Sequence, residues 1–214
     1  MPVRKLFWDD PYATDCEAVI TSADGDVVTV DRTVAFAFSG GQESDAGTIA
    51  GREILWAKAE GLEIVYSLGP GQPLRVGERV TVTIDGARRL RLIRLHFAAE
   101  LALELATRML PDARKVGAHI SAEKARIDFA WDGYLAAALP QVAAEIERLV
   151  SADLPIISAF SDVAAQRRYW EIAGFARVAC GGTHPRRTGE VGRVALKRAN
   201  PGAGKERIEI TLAD

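Results

Sequence analysis

Short stretches with an apolar residue at roughly every second position dominate the first 85 residues: EAVITS, DVVTVD, TVAFAF, LEIVYSL and RVTVTID. Asp24-Gly25 separates the first two, and the glycine- and proline-bearing stretches FSGGQESDAG and LGPGQPLRVGE separate the others as exposed loops. This pattern predicts a small β-barrel-like domain over residues 1–85. After Asp85-Gly86 the period changes. ARRLRLIRLHFAAELALELATRML consists of strong helix formers without an internal glycine or proline. Its Leu92, Ile93, Leu95, Phe97, Leu101, Leu103 and Leu105 fall on most of the circumference, which predicts a helix buried on more than one side. Leu135, Leu139, Val142, Ile146 and Leu149 predict a second, amphipathic helix. A third is expected to start at Asp162 as N-cap and to run through AAQRRYWEI. Strands are expected at RIDFAW, PIISAF, RVALKR and RIEITL, so residues 86–214 form an α+β domain and the fold class is α+β overall.

A chain of 214 residues with 48% hydrophobic and 26% charged side chains has enough apolar material for real cores, which argues against disorder. Its longest apolar runs fall short of a membrane span, and MPVRKLFWDD lacks the apolar core of a signal peptide. Cys16 and Cys180 are the only thiols, which excludes a disulfide scaffold and fits a reducing compartment; the expected location is cytoplasmic. The net charge of −2 hides an asymmetry. Residues 1–85 carry 7 basic and 14 acidic side chains, residues 86–214 carry 20 and 15. A basic half either faces nucleic acid or is an ordinary solvated surface, and Arg167, Arg168, Arg186, Arg187, Lys197, Arg198 and Lys205 are its candidate phosphate contacts.

Two constellations carry chemistry. His96 and Glu100 lie four residues apart on the first helix and share a face; a glutamate among leucines is costly unless a cation or metal offsets it. Cys180-Gly-Gly-Thr-His184-Pro is a loop that turns a thiol and an imidazole inward, and both are favoured zinc ligands. Together the segments supply four candidate ligands. A satisfied core histidine and an ordinary i,i+4 glutamate are the alternative. His119 falls outside both spacings, and Cys16 reads as a small apolar filler. No GxGxxG or P-loop pattern is present, which argues against a nucleotide cofactor.

The stretches RLIRLHFAAELALEL and YWEIAGFARVACGGTHPRRTGEVG resemble the alanyl-tRNA editing domain, the second additional domain shared by alanyl- and threonyl-tRNA synthetases. CGGTH and TGEVG are intact, and TVAFAFSGGQESDAG matches the family's glycine-rich element at Thr33, Gln42, Asp45 and Gly47. KVGAHISAEKARIDF shares the family's appearance, and the layout resembles the freestanding AlaX-type editing proteins. The chain departs from the pattern at Glu100, where the family has a second helical histidine, at Phe97, and at Ala37, Phe38 and Ser39 of the loop.

The resemblance implies a trans-editing hydrolase that deacylates Ser-tRNA(Ala), and also Gly-tRNA(Ala), at a Zn2+ site formed by His96, Glu100, Cys180 and His184. It implies Thr33, Gln42 and Glu100 as catalytic residues, and Thr33, Gln42, Gly41, Thr183, Arg186 and Arg187 on the substrate side, in a cleft between the halves. The physical need is a second sieve, since a pocket for alanine rejects serine or glycine poorly. Three readings of Glu100 stand open: a fourth ligand, a general base beside a three-ligand metal, or a sign of lost zinc. A homologue that holds tRNA without hydrolysis, or edits another mischarged tRNA, is the competing function.

Overall fold

A computed structural model describes residues 2–202 and 204–213. The chain is mixed α and β, strands predominating, and divides into two compact units: Met1–Ser39 with Glu43–Leu90, and Gly40–Gln42 with Arg91–Asp214.

In the first unit, β1 (Arg4–Lys5), β2 (Asp15–Asp24), β3 (Val27–Val30), β4 (Arg32–Thr33), β5 (Gly47–Ile49), β6 (Arg52–Glu60), β7 (Glu63–Leu68) and β8 (Arg79–Ile84) follow in order. Six of them pair in the ring β2-β3-β7-β6-β5-β8, which closes on itself. Alternate residues point inward as a pleated strand requires; Val80, Val82 and Ile84 of β8 are buried while Arg79, Thr81 and Thr83 are exposed. β6 is not among the strands that the sequence pattern predicts.

TVAFAF is not the strand its alternation predicts. Only Thr33 belongs to a strand, and Val34 to Ala37 are buried without a strand partner along them. Side chains instead satisfy their backbone, as burial demands. The Arg89 guanidinium donates to the Val34 carbonyl at 2.6 Å. Thr33 Oγ1 accepts from the Ala35 N–H at 3.0 Å, and the Tyr66 hydroxyl, itself bonded to Thr33 Oγ1, reaches the Ala35 carbonyl at 3.0 Å. Asp45 Oδ2 accepts from the Phe36 N–H at 2.7 Å, and its own N–H donates to the Phe36 carbonyl. Asp45 in turn ion-pairs with Arg89, both side chains being 1% exposed.

The helix α1 (Gly86–Met109) begins where Asp85 accepts the Arg88 N–H at 3.0 Å, a side-chain N-cap. Leu92, Leu95, Leu101, Leu105, Phe97 and alanines 98, 99, 102 and 106 are buried, and Leu103 is partly buried against the same cluster. The second unit continues with β9 (Arg114–Ile120), β10 (Ala125–Ala130), α2 (Leu139–Ser151), β11 (Ile157–Asp162), β12 (Arg167–Ile172), β13 (Ala176–Ala179), β14 (Val194–Ala199) and β15 (Lys205–Leu212). It holds an antiparallel sheet, β14-β15-β10-β9, and a three-stranded one, β11-β12-β13. One buried cluster joins α1, α2 and residues of both sheets. Leu139, Val142, Ile146 and Leu149 form the buried stripe of α2, whereas Leu135 lies in a separate 3₁₀ turn.

The helix expected from Asp162 does not exist. Asp162 does accept the Ala165 N–H at 2.9 Å, the local bond of a helix cap, but it closes the turn between β11 and β12. Gln166 adopts φ 51°, which ends any helical course, and the alternation of buried Arg168, Trp170 and Ile172 has strand period. Among the described residues no helix is long and apolar enough to cross a membrane.

Candidate metal centre

The buried stretch of α1 carries His96, and the loop after β13 carries Cys180 and His184. Their ligand atoms lie within 4.8 Å of one another. Cys180 Sγ is 3.3 Å from His184 Nε2 and 3.6 Å from His96 Nε2. Glu100 Oε1 is also 3.6 Å from His96 Nε2, although it stands outside the three-residue group. A tetrahedral ion with bonds of about 2.0–2.3 Å has ligand-to-ligand edges of about 3.3–3.8 Å, and the Cys180–His184, Cys180–His96 and His96–Glu100 separations are of that size.

The other ring nitrogens are fixed from behind. His96 Nδ1 lies 3.1 Å from the Thr183 carbonyl, an acceptor, so Nδ1 carries the proton and Nε2 faces Cys180. His184 Nδ1 bonds Ser158 Oγ of β11 at 3.0 Å, which likewise leaves Nε2 toward the sulfur. Such outer partners orient ligands in metal sites. The two imidazoles stack with centroids 5.2 Å apart.

Charge is divided unequally among these side chains. Burial opposes protonation of His96, but the Cys180 sulfur and the Glu100 carboxylate outweigh it and raise its pKa well above the ordinary value. For His184, burial and then the neighbouring His96 charge lower the pKa well below the ordinary value. Burial acts to raise the Glu100 pKa, yet the bonds from His96 and from Trp170 hold it down at about 2.

Gln42 joins this unit from the glycine-rich loop. Its Nε2 donates to Thr183 Oγ1 at 2.9 Å and its Oε1 accepts the Thr183 N–H at 3.4 Å, so the amide orientation is fixed. Gly41, at φ 91°, lets its carbonyl accept the Ile120 N–H at 2.8 Å; a Cβ there would stand 2.5 Å from the Ala118 carbonyl oxygen. A Cβ on Gly182 would clash with His96 Cε1 and come within 2.7 Å of His96 Nδ1 and 2.9 Å of Gln42 Oε1. Gly182→Ala is therefore expected to displace the His96 ring and weaken zinc binding about 10–100-fold, measured by chelator competition.

The remaining expected residues lie elsewhere or have other attachments. Thr33 is fully buried in the first unit, with the bonds described above. Arg187 Nε donates to Asp153 Oδ2 at 2.7 Å, and the Arg186 and Arg187 N–H groups both donate to Glu190 of the TGEVG turn. Two residues were not foreseen: Ser158 behind His184, and Trp170, whose Nε1–H donates to Glu100 Oε2 at 2.7 Å. Neither has a short-range signal; each is joined to the site only by strand pairing.

A helix and a CGGTH loop thus bring two imidazoles and a thiol together as a group that could hold a metal ion. Residues 171–209 match the family described as the threonyl and alanyl tRNA synthetase second additional domain. The chain is 29% identical to the alanyl-tRNA editing protein AlaX-M of Pyrococcus horikoshii, over 98% of this chain and 97% of that protein. AlaX-M of Saccharolobus solfataricus is likewise 29% identical, with 98% of each chain covered. The alanine–tRNA ligase of Methanopyrus kandleri is 32% identical over 98% of this chain, which spans 25% of the ligase. The chain is thus a homologue of alanyl-tRNA editing proteins, as its motifs lead one to expect.

Proposed function

We propose that this protein hydrolyses the ester of mischarged tRNA(Ala), with Ser-tRNA(Ala) and Gly-tRNA(Ala) as substrates, at a zinc centre held by His96, Cys180, His184 and Glu100. The observation that carries the reading is the clustering of the His96, Cys180 and His184 donor atoms, with Glu100 beside His96, in a chain similar over 98% of its length to alanyl-tRNA editing proteins. A zinc ion bound there supplies Lewis acidity toward the aminoacyl group or a water. Gln42 holds the CGGTH loop through Thr183, and its second amide N–H orients a water or the ester carbonyl. Glu100, ionised, balances the charge of the centre.

The test is deacylation of Ser-, Gly- and Ala-tRNA(Ala) by zinc-loaded protein. Release of serine or glycine with alanine spared is expected; tRNA binding without release would reduce the protein to a binding module, and release from another charged tRNA would reassign the substrate.

Arg186 and Arg187, beside the CGGTH loop, are the candidate contacts of the tRNA surface. Arg186→Glu is expected to weaken tRNA binding and lower the slope of log affinity against log salt by about one. A slope equal to the parent's in a filter-binding titration would remove Arg186 from the interface.

Thr33→Val deletes a buried acceptor used by the Ala35 N–H and the Tyr66 hydroxyl, so a loss of about 1–3 kcal/mol is expected in denaturant unfolding. Altered discrimination between seryl- and alanyl-tRNA in the still-folded variant would support a pocket role for the same hydroxyl.

A further inference from the structure

Glu100 is a carboxylate on a buried helix face, and a buried carboxylate needs both oxygens engaged. Oε1 faces His96 Nε2, and Oε2 accepts the Trp170 indole N–H. Trp170 on β12 is fully buried, meets the Phe97 ring edge-on at 5.2 Å and stacks with Phe175 at 6.5 Å. Its ring is held on two sides, which fixes the direction of the N–H. An indole N–H only donates, so Glu100 Oε2 is engaged here as an acceptor.

We infer that Trp170 is a positioning residue of the metal centre: by occupying Glu100 Oε2 it leaves Oε1 alone turned to the centre, so that Glu100 serves as a single-oxygen donor beside His96, Cys180 and His184. This rests on the metal reading above. A carboxylate with both oxygens available chelates an ion with both and raises the coordination number; one oxygen taken by a hydrogen bond restricts it to a single bond. The same bond draws charge from the carboxylate, which moderates the negative charge that Glu100 adds to a centre already holding a thiol.

The test uses the full chain loaded with cobalt(II), whose visible absorption is strong in four-coordinate sites and weaker at higher coordination. The parent is expected to show the four-coordinate spectrum. Trp170→Phe is expected to weaken the absorption and lower zinc affinity about 10–100-fold, as loss of an outer partner does. In the Glu100→His background there is no carboxylate to restrain, so Trp170→Phe is expected to leave spectrum and affinity unchanged. An unchanged spectrum and affinity in Trp170→Phe, or an equal loss in both backgrounds, would overturn the inference, since equal loss is what a packing role produces.

Should Trp170→Phe not fold, the parent itself answers. Of the indole N–H resonances of its four tryptophans, that of Trp170, assigned by replacing Trp8, Trp56 and Trp131 singly, is expected to shift most on zinc addition. A Trp170 resonance that stays in place at saturating zinc refutes the positioning role and leaves the metal reading intact. No uptake of zinc or cobalt by the parent defeats both.

Discussion

Cys180→Ser is expected to strip zinc from the protein and to lower deacylation of Ser-tRNA(Ala) by more than the ~100-fold that loss of an outer partner costs. The sulfur is the atom the two histidines share, 3.3 Å from His184 Nε2 and 3.6 Å from His96 Nε2. A serine hydroxyl is neutral, harder and attached by a shorter bond, so it neither reaches as far nor replaces a thiolate as a zinc donor. Metal analysis of the purified variant, beside the activity assay, checks this. Full zinc occupancy in Cys180→Ser would place the metal elsewhere.

Asp45→Asn is expected to have the largest effect on stability. The Arg89 guanidinium is 1% exposed, pairs with the Asp45 carboxylate and also donates to the Val34 and Pro11 carbonyls. Removing the negative charge leaves a buried cation, which costs about 3–5 kcal/mol. It also replaces the charged acceptor of the Phe36 N–H with a neutral one. In a chain of this size that corresponds to a fall of roughly 10 °C in the unfolding temperature. Calorimetry resolves it, and Arg89→Met in the Asp45→Asn background is expected to recover part of the loss because the uncompensated charge is gone. A transition unmoved by Asp45→Asn would mean that the pair is not what holds residues 34–37.

Features written within a few residues were legible in advance. The course of α1 follows from an unbroken run of helix formers behind an Asp85 cap, and the buried stripe of α2 from its spacing. His96 and the Cys180–His184 pair were legible as candidate ligands because a helix turn and a tight glycine loop each set two side chains on one side by local geometry. The structure brings those three together and sets Glu100 beside His96. The β11–β12 hairpin was misread because Asp162 makes the same local bond at a turn as at a helix start, and only strand pairing decides between them. TVAFAF alternates like a strand, yet its partners are the side chains of Thr33, Asp45, Tyr66 and Arg89.

The sequence by itself determined the period of each helix, the turn residues, and the residue types able to bind a metal. Only the tertiary structure decided that Trp170 holds Glu100, that Ser158 stands behind His184, and that Gln42 locks to Thr183. The physical reason is distance along the chain. A cap, a turn or an i,i+4 pair is fixed by backbone geometry over one turn of chain. Gln42 and Thr183 lie 141 residues apart and meet only through the packing of the second unit.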